Sequence, residues 1–101
     1  MYTFRLYVTG QSATTVNTIK QVQQMLRDQL VSGEDEQELE VINILETPQR
    51  AIEDKVFATP TLVKLSPPPS RRIIGDLSDK QKVTVALELA TSEGNSGPGQ
   101  G

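Results

Sequence analysis

Residues 58–78 read ATPTLVKLSPPPSRRIIGDLS, and the division of this stretch decides the fold. Thr61–Leu65 is a short run of apolar and β-branched residues, as a strand requires. Pro60 stands just before it as a rigid entry, and either peptide isomer is accessible there at modest cost. Pro67, Pro68 and Pro69 disfavour helix at the residues before them and favour extended chain. Arg71–Gly75 then reads as a second short strand. Ser78 and Gln81 have the spacing of a capping box, which opens a helix. The stretch therefore reads as strand, stiff connector, strand and helix start. Its sharper reading is a hinge in a chain that rearranges.

Outward from there, Tyr2, Phe4, Leu6 and Val8 alternate with Thr3, Arg5, Tyr7 and Thr9, the pattern of a strand that Gly10 ends. Ser12 or Thr14 caps a helix whose apolar stripe is Val16, Ile19, Val22, Leu26 and Leu30, with Met25 beside it and Gly33 as its stop. The acidic run over residues 33–40, GEDEQELE, reads as a solvated loop running into the next strand and lacks the ligand spacing of a calcium loop. Leu39–Leu45 alternates again, with Leu39, Val41, Asn43 and Leu45 on one side and Glu40, Ile42 and Ile44 on the other. Pro48 in the first turn and Thr47 as N-cap predict a short helix within residues 48–58. Residues 82–90, KVTVALELA, fit two periods. Val83, Ala86, Leu87 and Ala90 make a helical stripe, whereas Val83, Val85, Leu87 and Leu89 alternate as in a strand. The Gly/Ser/Pro-rich residues 92–101 carry no apolar anchor and are expected to be a disordered tail, leaving residues 1–91 as a single domain.

The order β-α-β-α-β-β-α is that of an α/β, thioredoxin-like domain, with a right-handed first crossover and helices on both faces of the sheet. Thioredoxin-like oxidoreductases carry a reactive cysteine at the start of the first helix, where the dipole lowers its pKa. Here that position is Gln11-Ser12-Ala13-Thr14, and the chain holds no cysteine and no histidine. Disulfide exchange, thiolate metal sites and a histidine-activated serine are all excluded. The expectation is a protein without enzymatic activity or cofactor; a glutathione site beside Pro60 is the enzymatic alternative. A net charge of −3 lacks the basic footprint of a nucleic-acid binder. No apolar run approaches membrane-spanning length, and Met1–Val8 does not form a signal peptide. A small cytoplasmic protein is expected.

The segments Glu53-Asp54-Lys55, ATPTL and PPPSRRIIGDLS, together with LYVTGQ at residues 6–11 and INILETPQ at residues 42–49, closely resemble the KaiB family of the bacterial circadian clock. The resemblance runs from about Phe4 to Leu89. It implies a non-enzymatic regulator with two folds. One is a ground-state β-α-β-β-α-α-β fold in a homotetramer or dimer. The other is a monomeric thioredoxin-like form that binds the hexameric ring of the ATPase KaiC. It further implies that the bound form sequesters KaiA, displaces a sensor histidine kinase and turns KaiC towards dephosphorylation. Carried over by position, Lys55 becomes a KaiC contact. Arg71 and Arg72 pair with carboxylates of a partner or neighbouring subunit. Pro60, Pro67, Pro68, Pro69, Gly75 and Asp76 lie in the half that switches. The family's KaiA-binding edge carries a small and a basic residue where this chain has Glu38 and Glu40, and Asn17 stands where an arginine is common; these departures weaken the expectation of KaiA binding. A KaiB-like interaction module in stress or kinase signalling, without a clock, is the other reading.

Overall fold

The structure is a computed structural model that describes residues 1–29 and 37–89. Its elements are β1 (Tyr2–Val8), α1 (Ala13–Gln29), β2 (Gln37–Asn43), α2 (Pro48–Glu53), β3 (Thr61–Ser66), β4 (Arg71–Ile74) and α3 (Lys80–Leu87). This is the β-α-β-α-β-β-α order that the sequence predicts. The strands form one sheet in the order β2-β1-β3-β4. β2 runs parallel to β1, as a helical crossover requires, and β3 and β4 are antiparallel additions.

The alternation of β1 sorts the two faces. Phe4, Leu6 and Val8 pack with Val22, Met25 and Leu26 of α1 and with Val83 and Leu87 of α3. Tyr7 faces the other way, into a smaller core with Ile42, Ala51, Val56 and Val63 under α2. Of the ambiguous residues, 82–87 are helical in this structure and Glu88 ends the helix in the left-handed region. Val83 and Leu87 are fully buried one turn apart, while Val85 is 73% exposed. Both periods put Val83 and Leu87 on one side, but only the helical one leaves Val85 in solvent.

Several local expectations shift. Ser12 does cap α1, accepting from the Thr15 amide at 3.3 Å. Asp79, not Ser78, caps α3: its carboxylate accepts from the amides of Gln81 and Lys82 at 3.0 and 3.2 Å. A carboxylate is the better acceptor beside a positive helix end, so the start moves one residue on. Ser78 is drawn instead to Asp76, which accepts from its hydroxyl and its amide. Thr47 occupies the N-cap of α2 without a side-chain cap. α2 ends at Glu53, well before residue 58, and Ile44 and Leu45 fall in the turn after β2. Leu30, Gly33 and the expected tail lie outside the described residues.

Candidate functional site

The α2–β3 junction is built by a backbone motif with an unusual occupant. The amide of Lys55 donates to the Ile52 carbonyl at 3.1 Å, and that of Val56 to the Ala51 carbonyl at 2.9 Å. These two bonds are the Schellman closure of a helix, and they need a left-handed residue just past the cap, a place that favours glycine. Lys55 takes it, at φ 57°. The hydrophobic contact that accompanies the motif is present, because Ala51 and Val56 share the smaller core. The result is a lysine held outward on a rigid turn. Ile52 and Phe57, 69% and 89% exposed, flank it in sequence.

A charge network fixes α2 to the sheet. Arg50 and Asp54 lie one helical turn apart on the same side of α2. The Arg50 guanidinium donates to both oxygens of Glu40 on β2, at 2.9 and 3.2 Å. Arg5 on β1 donates to Asp54 at 2.8 Å, and its Nε lies 3.4 Å from Glu40. The buried Tyr7 hydroxyl also donates to Asp54. That hydrogen bond from Tyr7 is the largest influence on the Asp54 carboxyl and, with the bond from Arg5, holds it below its ordinary pKa against the opposing effect of burial. Glu40 is likewise held low, chiefly by Arg50. Burial, then the bond to Asp54, pushes the Tyr7 phenol up.

The structure brings some of the sequence-predicted residues together and leaves others apart. Arg72 joins the α2 turn, donating to the carbonyls of Asp54 and Lys55 at 2.7 and 3.1 Å. Arg71 points to the opposite face and pairs with Glu88 past the end of α3, at 2.9 Å. Both arginines thus have acceptors within the chain. Glu38 and Glu40 are exposed on β2, the sheet edge away from β4, and Asn17 is exposed on α1. The Thr59–Pro60 bond is cis, and the Pro60 carbonyl accepts from the Gly75 amide at 2.9 Å. Gly75 has φ 102°, which only glycine adopts freely. Pro67, Pro68 and Pro69 are exposed in the β3–β4 connection. Arg5, Tyr7, Arg50 and Asp54 were not singled out by the sequence. Their one signal there is that Arg5 and Tyr7 share the polar side of β1, which turns out to face α2.

Where a thioredoxin carries its cysteines, Thr9, Ser12, Thr15, Thr59 and Pro60 line a cavity of about 190 Å³. Its hydroxyls are engaged locally: Thr9 with Thr59 at 2.7 Å, and Thr15 with the Thr9 carbonyl at 3.0 Å. Among the described residues no group of His, Cys, Asp or Glu is arranged to hold a metal ion, and no helix is long and apolar enough to cross a membrane.

The architecture defines a thioredoxin-like domain without thioredoxin's thiols. It has a TM-score of 0.62 to mitochondrial thioredoxin 3 of Saccharomyces cerevisiae at 14% identity, covering 86% of this chain and 76% of that one, a likeness of fold alone. The N-terminal domain of Synechococcus elongatus SasA matches with a TM-score of 0.70 at 25% identity, covering 83% and 78% of the two chains. The family described as KaiB domain matches residues 5–89. The circadian clock oscillator protein KaiB of Rippkaea orientalis is 45% identical over 92 residues, covering 91% of this chain and 86% of that protein. That of Trichodesmium erythraeum is 44% identical over 94 residues, covering 93% and 88%. The chain belongs to the KaiB family, and its relatives' names support a clock-related role.

Proposed function

We propose that this chain is a non-enzymatic clock regulator that binds the ring of a KaiC-type ATPase in the thioredoxin-like form and promotes its dephosphorylation. The observation that carries the reading is the α2–β3 turn. It presents Lys55 in a left-handed conformation beside an 89% exposed Phe57. Backbone strain and a large exposed aromatic are costs to a free monomer, and both suit a binding surface. Lys55 supplies the charge and Phe57 the apolar anchor.

The free chain also populates a tetrameric β-α-β-β-α-α-β ground state. Residues 82–90 supply the two-way sequence for that exchange, and Pro60, Pro67, Pro68, Pro69, Gly75 and Asp76 lie in the half that rearranges. A partner that binds one form draws the population to it, and its apparent affinity is reduced by that form's rarity. Glu38 is exposed on β2 and Glu40 is tied to Arg50 and Arg5, so no basic residue is offered there and a KaiA-type partner is disfavoured.

Native mass spectrometry of the chain mixed with a KaiC-type hexamer tests the reading. Slow appearance of a ring carrying several copies supports it, and its loss in Lys55→Glu places the contact. No complex after a day removes the KaiC-type partner. It would favour the second reading, a KaiB-like interaction module in stress or kinase signalling without a clock.

A further inference from the structure

Lys55 and Glu88 are the non-glycine residues with positive φ among the described residues, at 57° and 55°. Each stands just past the end of a helix, α2 or α3. Each is followed by the second Schellman bond: Val56 to Ala51 at 2.9 Å, and Leu89 to Thr84 at 3.0 Å. The adjacent arginines of β4 reach them from opposite faces of the sheet. Arg72 takes the carbonyls past α2, and Arg71 takes the Glu88 carboxylate past α3. The strand alternation dictates this division, because Ile73 packs on the α1/α3 core and Arg71, two residues before it, shares that face.

Both contacts are exposed, and they differ in geometry. Arg71 and Glu88 form an ion pair with side chains 47% and 49% exposed, and such pairs add little. Arg72 makes two charge-assisted bonds from one planar group to two consecutive carbonyls at a negative helix end. Only a fork-shaped donor spans both.

We propose that Arg72 is a positioning residue that couples the pairing of β4 to the geometry of the Lys55 turn. The turn keeps its left-handed form only while β4 lies against β3, through the Val63–Arg72 register. The coupling concerns this fold alone; that the turn is the partner surface rests on the proposed function.

Amide hydrogen exchange resolved by NMR tests it without any partner. It is read on the species whose carbon shifts are helical over Lys80–Leu87. Arg72→Ala is expected to speed exchange at Lys55 and Val56 by about three- to tenfold, the scale of a charge-assisted bond reduced by solvent exposure, and to leave Leu89 unchanged. Arg72→Lys, with one point-like donor, is expected to fall between. Arg71→Ala is expected to leave Lys55 and Val56 unchanged and to move Leu89 by about threefold or less. Equal acceleration at both helix ends in Arg72→Ala overturns the coupling, because it reports general loosening. So does full retention of protection by Arg72→Ala. Failure to bind a KaiC-type ring with the exchange pattern intact would remove the partner and leave the coupling standing.

Discussion

Replacing Asp54 by Asn removes the carboxylate that joins α2 to β1 while keeping its shape. Two donors converge on that group: the Tyr7 hydroxyl and the Arg5 guanidinium at 2.8 Å. A hydrogen bond to a charged group contributes about 1.5–3 kcal/mol when shielded. The Arg5 and Asp54 side chains are each 28% exposed, so solvent screening cuts that pair's share to about 1 kcal/mol or less. Tyr7 is fully buried, and its bond keeps nearer the full value. An asparagine oxygen still accepts weakly, which returns part of the loss. The net expectation is a destabilisation of about 1.5–2 kcal/mol. Tyr7→Phe, which removes one hydroxyl, should cost about 1.5–2 kcal/mol. Urea unfolding at fixed chain concentration measures both, since association would otherwise shift the midpoint. The double variant should cost less than the sum, with a coupling of about 1 kcal/mol, because both changes remove one bond. Additive losses, or an Asp54→Asn loss under about 0.3 kcal/mol, would refute the reasoning.

The same network sets an acid limit. The Asp54 carboxyl is held low in the fold, so its contribution is present above the unfolded value near 4 and is lost as pH falls through the folded pKa. Urea midpoints between about pH 5 and 2 should fall in the wild type and fall less steeply in Asp54→Asn. Lys55→Gly relieves the left-handed strain, and chain stability should rise by up to about 1 kcal/mol while binding to a KaiC-type ring weakens. A stability loss would contradict the Schellman assignment. Gly75→Ala meets no atom within 4 Å, yet φ 102° penalises any side chain, so a loss of about 1–2 kcal/mol in urea unfolding is expected from the backbone alone. Leu87→Ala removes a fully buried side chain between α3 and the sheet and should cost about 2–5 kcal/mol.

The element order was legible because every element but the last announces its period. β1 alternates over its whole length, α1 carries an uninterrupted stripe, and prolines mark both ends of β3. Faces were legible too, down to Tyr7 opposing Phe4 and Leu6. Residues 82–90 were legible only as a choice. Both periods bury Val83 and Leu87, and the decision falls to tertiary packing, which leaves Val85 in solvent. The α3 cap was misassigned by one residue, since Ser78 and Asp79 are both good acceptors and only the backbone path selects between them. The candidate site was half legible. Lys55, Arg71 and Arg72 stood out by resemblance. Their geometry did not, because a left-handed lysine has no sequence signature and Arg72 meets Asp54 from 18 residues away. The Arg5–Asp54 contact spans 49 residues and depends on α2 settling over β1, which no local pattern encodes.

The central claim is that the thioredoxin-like arrangement is the partner-binding one. The most direct measurement is the set of backbone carbon chemical shifts of residues 80–89 in the chain bound to a KaiC-type ring. The account predicts helical shifts across Lys80–Leu87, with Lys55 and Val56 amides protected in the same complex. Strand-like shifts over Val83–Leu89 in the bound chain would contradict it.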